Sequence, residues 1–188
     1  MLDIIKSTPS NWSFHILLKD CNELQIFFED SDYHRFLSIL NTLSHSHDCP
    51  LHAYALLPDE IHLLMSRNSY TGIESVIGKL HSEYCCYFNK VHRRTFRILQ
   101  LVNVSGAIPR HVDLLGYYRY IELVPVMSRV VDHPSEYPWS SYGSNAMGED
   151  CGLISPHEVY LALAANEQER REYYRNGFEH ITALSGVS

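Results

Sequence analysis

Nowhere in this 188-residue sequence is there a run of eighteen apolar residues, so no membrane-spanning helix is expected. The first ten residues, MLDIIKSTPS, lack a basic region followed by an apolar stretch, and the expectation is a cytoplasmic protein. Cysteine is sparse and odd in number: Cys21, Cys49, the adjacent Cys85 and Cys86, and Cys151. These have neither zinc-knuckle nor CxxC spacing, so they read as reduced packing residues. Positive charge is also short. Fifteen Lys and Arg face twenty-two Asp and Glu, a net charge of -7, which argues against a generally basic nucleic-acid binder. No internal repeat or low-complexity segment is visible.

With 45% apolar residues, the chain can bury a real core, as one domain or as one domain with an appended tail. Its charge is unevenly spread. Residues 1–75 carry 4 basic against 10 acidic side chains, residues 76–130 carry 8 against 3, and residues 131–188 carry 3 against 9. A positive strip between acidic flanks steers a phosphate backbone through its local field; the alternative is a solvated helix face.

Ser13 to Lys19 alternates apolar positions and predicts a first strand. A helix follows, with Asp30 or Ser31 as N-cap and Tyr33, Phe36, Leu37, Leu40 and Leu43 at helical spacing. It fades before Pro50. The stretch Leu51 to Met65, LHAYALLPDEIHLLM, is two β-rich runs joined at Pro58-Asp59, which predicts an antiparallel hairpin. In the second strand Glu60, His62 and Leu64 share one face. A carboxylate and an imidazole pointing the same way suit a divalent cation, although two side chains do not make a site, and the alternative is a strand start beside a half-buried polar residue.

A second helix is expected from Ile73 to about Asn89, ending among Lys90, His92, Arg93, Arg94 and Arg97. Fixed positive charges beside tyrosines suit phosphate pairing and base stacking, and equally a basic helix end favoured by the helix dipole. After strand-like residues 98–104, a third helix is expected from about His111 to Leu123, stopped by Pro125. It carries Tyr117, Tyr118 and Tyr120. A tyrosine hydroxyl attacks phosphorus when cations stabilise the developing charge, while packing against a sheet is the alternative use of such a ring. Two short C-terminal helices are expected, and Ser155 with Glu158 has capping-box spacing.

Four stretches, FHILLKDCNELQIFFEDSDYHRFL, HAYALLPDEIHLLM, RYIELVPV and HPSEYPWSSYGSNAMG, occur in an order and spacing that resembles the REP-associated tyrosine transposases, single-tyrosine HUH transposases acting on single-stranded DNA. The resemblance implies an α+β, ferredoxin-like fold with a central antiparallel sheet flanked by helices. Residues 1–147 would form the transposase-like domain and residues 148–188 a helical C-terminal extension. It also implies binding of single-stranded or hairpin DNA, with cleavage and strand transfer through a 5'-phosphotyrosine. In that reading Tyr120 is the nucleophile, and His62 and Glu60 hold Mg2+ or Mn2+. Lys79, Lys90, Arg93, Arg94, Arg97 and Arg119 contact DNA, as monomer or homodimer and with no membrane involved.

This sequence departs from the family pattern where the metal would sit. Glu60 stands at the first histidine, and Val124 stands at the polar residue one turn after the tyrosine. The segment LVPVMSRVV also lacks the flanking asparagine, arginine and glycine, so phosphate binding by arginine would fall to Arg97, Arg119 or Arg129. The alternative function is a catalytically inactive, domesticated DNA-binding descendant.

Overall fold

The alternation of Phe14, Ile16 and Leu18 with Ser13, His15 and Leu17 forms a strand whose two faces meet different partners. In the computed structural model, which describes residues 12–19, 25–67, 72–94, 100–104, 108 and 113–185, this is β1 (Ser13–Lys19). It is followed by α1 (Asp30–Ser46), β2 (Leu51–Leu56), β3 (Glu60–Ser66), α2 (Gly72–Val91), β4 (Gln100–Val104) and α3 (Leu114–Met127). A 3-10 turn at Pro134–Glu136, a π turn at Gly143–Met147, α4 (Glu158–Leu161) and α5 (Glu167–Ser185) complete the order. The strands form one antiparallel sheet ordered β2-β3-β1-β4, with β1 opposing β3 in the register Leu17 to His62 and Lys19 to Glu60. This is the ferredoxin-like α+β arrangement expected from the resemblance.

Each face of the sheet has its own core. Phe14, Ile16, Leu18, Ile61, Leu63 and Met65 meet the apolar stripes of α1 and α2, among them Phe36, Leu40, Val76, Leu80, Tyr84 and Phe88. On the opposite face Ala53, Ala55 and Leu64 pack beneath α3 through Leu114, Tyr118 and Ile121, and this cluster extends to Tyr142, Tyr160, Tyr174 and Phe178. Small Ala side chains at β2 let α3 approach the sheet closely. His15, Leu17, Glu60 and His62 therefore lie on the α3 face, as the alternation requires.

Local expectations differ at four points. Pro125 does not stop α3: it lies buried inside the helix, which ends at Met127. Proline brings no amide of its own, and the last turn closes through the amides of Ser128, Arg129 and Val130, bonded to the carbonyls of Val124, Val126 and Pro125. Arg129 then adopts φ 57, the left-handed conformation that turns the chain away from the helix. The N-cap of α1 is Glu29, because Asp32 reaches back to the amides of Phe28 and Glu29. Ser155 does not cap α4. Its backbone is bonded to Leu51 and to His52, and the His157 ring accepts the first-turn amide of Val159 instead. Finally, the last helix is long, nineteen residues, rather than short.

Candidate functional site

The register of β1 against β3 places Leu17 opposite His62, so His15 and His62 are diagonal neighbours on the α3 face. Their rings stack at 5.1 Å, with His15 Nε2 3.0 Å from His62 Nδ1. His62 Nε2 lies 3.3 Å from Glu60 Oε1, and the second carboxylate oxygen of Glu60 is 2.6 Å from the Lys19 ammonium. Four side chains thus run in one line, His15, His62, Glu60, Lys19, from the middle of the sheet to its end. His62 Nε2 is buried, and its 3.3 Å approach to Glu60 does not have hydrogen-bond geometry.

Tyr120 closes this line from above. Its ring meets His15 edge-on at 5.8 Å and His62 at 6.1 Å, and it is 45% exposed, whereas Tyr118 on the other side of α3 is wholly buried. Of the residues expected at the site, Tyr120 stands against His62, and His62 in turn lies beside Glu60. His15 was not singled out in the sequence; its position on the same strand face as Leu17, opposite His62, is the signal that finds it. Burial, reinforced by the neighbouring His62, lowers the His15 pKa to about 4, so this imidazole is neutral at pH 7. The Glu60 carboxyl is held down at about 2, chiefly by the His62 nitrogen and then by Lys19, against the opposing effect of burial.

A divalent ion implied by the resemblance is tested by these donors. Glu60 Oε1 and the unpartnered His62 Nε2 offer two ligand atoms at a separation one cation spans. Val124, one turn beyond Tyr120, is buried and apolar and offers none. The other oxygen of Glu60 is already against an ammonium. Among the described residues no group of three His, Cys, Asp or Glu side chains is arranged to hold a metal ion. Mg2+ and Mn2+ ask for about six oxygen or nitrogen ligands, and a two-donor set with a resident cation does not fit a tightly held ion.

The expected DNA contacts divide by position. Arg93 and Arg94 follow α2, whose end is fixed by Asp32: this buried carboxylate lies 3.0 Å from His92 Nε2 and accepts from the Tyr87 hydroxyl. Arg94 lies over the half-exposed Phe28 ring at 4.8 Å, and Lys90 and Arg93 are exposed nearby. The amides of Ile26 and Phe27 bond to Pro58, at the tip of the β2-β3 hairpin, so this basic turn sits at the same sheet end as Glu60 and Lys19. Lys79 is elsewhere. It contacts His47 near the far end of α1, about 20 Å along the helix from the basic turn at about 1.5 Å per residue. Arg119 points to α5, over the Tyr174 ring at 5.6 Å, and not into the Tyr120 cluster. Arg97 lies outside the described residues.

One buried carboxylate on α3 was not singled out in the sequence either. Glu122, fully buried, accepts from Ser141 Oγ at 2.6 Å, Asn145 Nδ2 at 2.8 Å and Tyr174 Oη at 2.8 Å. It ties the tyrosine helix to the π turn and to α5. Burial pushes its carboxyl up to about 7 despite those three donors.

Comparisons with known proteins bear on the fold. Residues 8–99 match the family described as "Transposase IS200 like", a span that holds β1 to α2 and stops short of Tyr120. Among solved structures the chain is similar to one described as "Structure of the REP associates tyrosine transposase bound to a REP hairpin". The TM-score is 0.61 at 15% identity, covering 78% of this chain and 84% of that one, a likeness of fold. No curated protein matches the sequence. Residues 8–99 of this chain are thus similar to the IS200-like transposases.

Proposed function

We propose that this chain binds single-stranded or hairpin DNA across the sheet end that Lys19 shares with the basic turn of Lys90, Arg93 and Arg94, with Tyr120 on the α3 face of the same sheet. The observation that carries this reading is the exposed Tyr120 standing against His15 and His62, with the basic turn anchored at the same end of the sheet through Asp32. Support comes from the family match and from the fold shared with a transposase solved on a REP hairpin. Phe28 and Arg94 offer a flat cationic surface on which an unpaired base stacks. The unit at work is residues 1–147, with residues 148–188 as its helical extension, acting in the cytoplasm as a monomer or homodimer. The test is binding of a labelled hairpin across a salt series. Affinity should fall steeply with salt, as phosphate contacts release counterions, and Arg94→Ala should weaken it; salt-independent binding, or none, would remove the reading.

A second reading, DNA cleavage and rejoining, is favoured by one observation: Tyr120 is the exposed ring of α3 and meets both imidazoles. In that reaction the tyrosine oxygen bonds to phosphorus, the bond to the 3' oxygen breaks, and a 5'-phosphotyrosine and a free 3'-hydroxyl result. It calls for Mg2+ or Mn2+ to settle at Glu60 and His62 against the competition of Lys19. Incubation with end-labelled hairpin DNA and Mn2+, followed by a denaturing gel, decides it. An adduct absent in Tyr120→Phe establishes cleavage. Binding without an adduct leaves the inactive, domesticated DNA-binding descendant.

A further inference from the structure

We infer that the C-terminal helix α5 belongs to the frame of the Tyr120 site: it grips α3 through Arg119 and Glu122, which flank Tyr120, and so sets where the tyrosine ring stands against His15 and His62. This rests on the DNA-binding reading and extends it, because the C-terminal extension then positions the site instead of merely following it. Three observations carry it. Glu122 Oε2 accepts from the Tyr174 hydroxyl of α5 at 2.8 Å, while its other oxygen accepts from Ser141 and Asn145. The Arg119 guanidinium lies over the same Tyr174 ring at 5.6 Å. It also fills the space above Gly177, the next turn of α5, where a β-carbon would overlap it.

Helical geometry makes this grip bear on the site. Arg119 and Glu122 share the side of α3 that meets α5, whereas Tyr117 and Tyr120 share the side that meets the His15 ring, at 6.1 and 5.8 Å. A rotation of α3 that moves one pair therefore moves the other. Beneath, α3 rests on Ala53, Ala55 and Leu64. Apolar contact is non-directional and resists rotation weakly, while hydrogen bonds to a fixed carboxylate are directional. The helix α5 is itself fixed to the π turn, by the Arg175 guanidinium donating to the Ala146 carbonyl. The Tyr142 and Phe178 rings, 5.2 Å apart, pack beside that bond. Arg119 and Glu122 are thus positioning residues, acting through the orientation of Tyr120.

The experiment uses the whole protein with a fluorotyrosine at position 120 alone, followed by fluorine NMR without DNA. Gly177→Ala drives the Arg119 guanidinium from its place while giving α5 a better helix former. The fluorine resonance should shift in this variant although urea unfolding shows it folded; an unchanged resonance would overturn the inference. In an Arg119→Ala background no guanidinium stands in the way, so adding Gly177→Ala should leave the resonance where Arg119→Ala alone puts it. A shift of equal size in both backgrounds would show that the effect does not pass through Arg119, and would also overturn it. Should Gly177→Ala not fold, Tyr174→Phe decides by the same criterion, since it keeps the ring and removes only the hydroxyl bonded to Glu122. Hairpin affinity is the second readout. It should fall several-fold in Gly177→Ala with the slope of log affinity against log salt unchanged, because no phosphate contact is removed. Wild-type affinity despite a moved resonance would overturn the inference. Failure of wild type to bind any hairpin would strike the DNA-binding reading, while the resonance still decides whether α5 sets the position of Tyr120.

Discussion

Glu60 and Glu122 lie on either side of Tyr120, and the fold treats them in opposite ways. Glu60 sits at the rim of the sheet between an imidazole and an ammonium, and these hold its carboxyl at about 2. Glu122, two residues beyond Tyr120, is fully buried among three neutral donors, and its carboxyl rises to about 7. Three hydrogen bonds do not replace the hydration a carboxylate loses, whereas a neighbouring cation at a partly wet site does. The rim carboxylate is thus paired with charge at the surface, and the buried one with neutral donors inside the fold. Asp32 combines traits of both, buried like Glu122 yet paired with a histidine, and it provides the strongest way to probe the contrast.

Asp32→Ala should have the largest effect on stability. It would leave the amides of Phe28 and Glu29, the Tyr87 hydroxyl and the His92 ring without their shared acceptor. Removing one partner of such a buried set costs about 3–5 kcal/mol, read as a lower urea midpoint. Hairpin affinity should drop with it even where the protein remains folded, because the same contacts anchor the basic turn. A loss below about 1 kcal/mol would mean that burial alone does not make a carboxylate structural here.

The next effect is a pH dependence. The native carboxyl of Glu122 titrates at about 7 against an ordinary value of 4.5, so its contribution to stability is fully present below 4.5. As pH rises, the unfolded chain loses this proton first, and stability falls until about pH 7, by an amount on the order of 3 kcal/mol. His15 and His52, both lowered to about 4 mainly by burial, act in the opposite sense: their contribution is present above 6.5 and lost as pH falls towards 4. The observable is thus the difference between wild type and Glu122→Gln in urea unfolding, at pH 5 and at pH 8. The glutamine keeps the acceptor for Ser141 and Asn145 and donates to Tyr174 Oη, so the variant should gain on wild type as pH rises. A difference that does not change with pH would show that Glu122 stays ionised despite its burial.

Much of this contrast was legible before the structure, and the rest for physical reasons was not. Period-two alternation placed Glu60 and His62 on one face, and helical spacing found α1 and α2, because those patterns are local. His15 and Lys19 entered the site through strand pairing between residues more than forty positions apart, which no local pattern reports. Glu122 looked like one more charged helix residue; its burial depends on Ser141, Asn145 and Tyr174, supplied by two later elements. Pro125 was read as a helix stop from its intrinsic chemistry, and tertiary packing carried α3 past it for two residues. Arg119 entered as a substitute for the arginine missing beside LVPVMSRVV, and the structure places its guanidinium over the Tyr174 ring.

The smallest expected effect on stability comes from Lys19→Met, and its smallness is what gives it force. The Lys19 side chain is 42% exposed, and an ion pair of that kind contributes roughly 0 to 1 kcal/mol after solvent screening. By sign, the stabilisation from Glu60 is present above pH 4.5 and lost as pH falls towards 2, so at neutral pH its full, modest value is at stake. Urea midpoints of wild type and Lys19→Met should therefore nearly coincide at pH 7, while their hairpin affinities part. That combination separates a charge held for the fold from one held for a ligand. A stability loss above about 2 kcal/mol would put the Lys19–Glu60 pair in the same class as Asp32, and the rim and the interior of this domain would no longer differ in what their carboxylates are for.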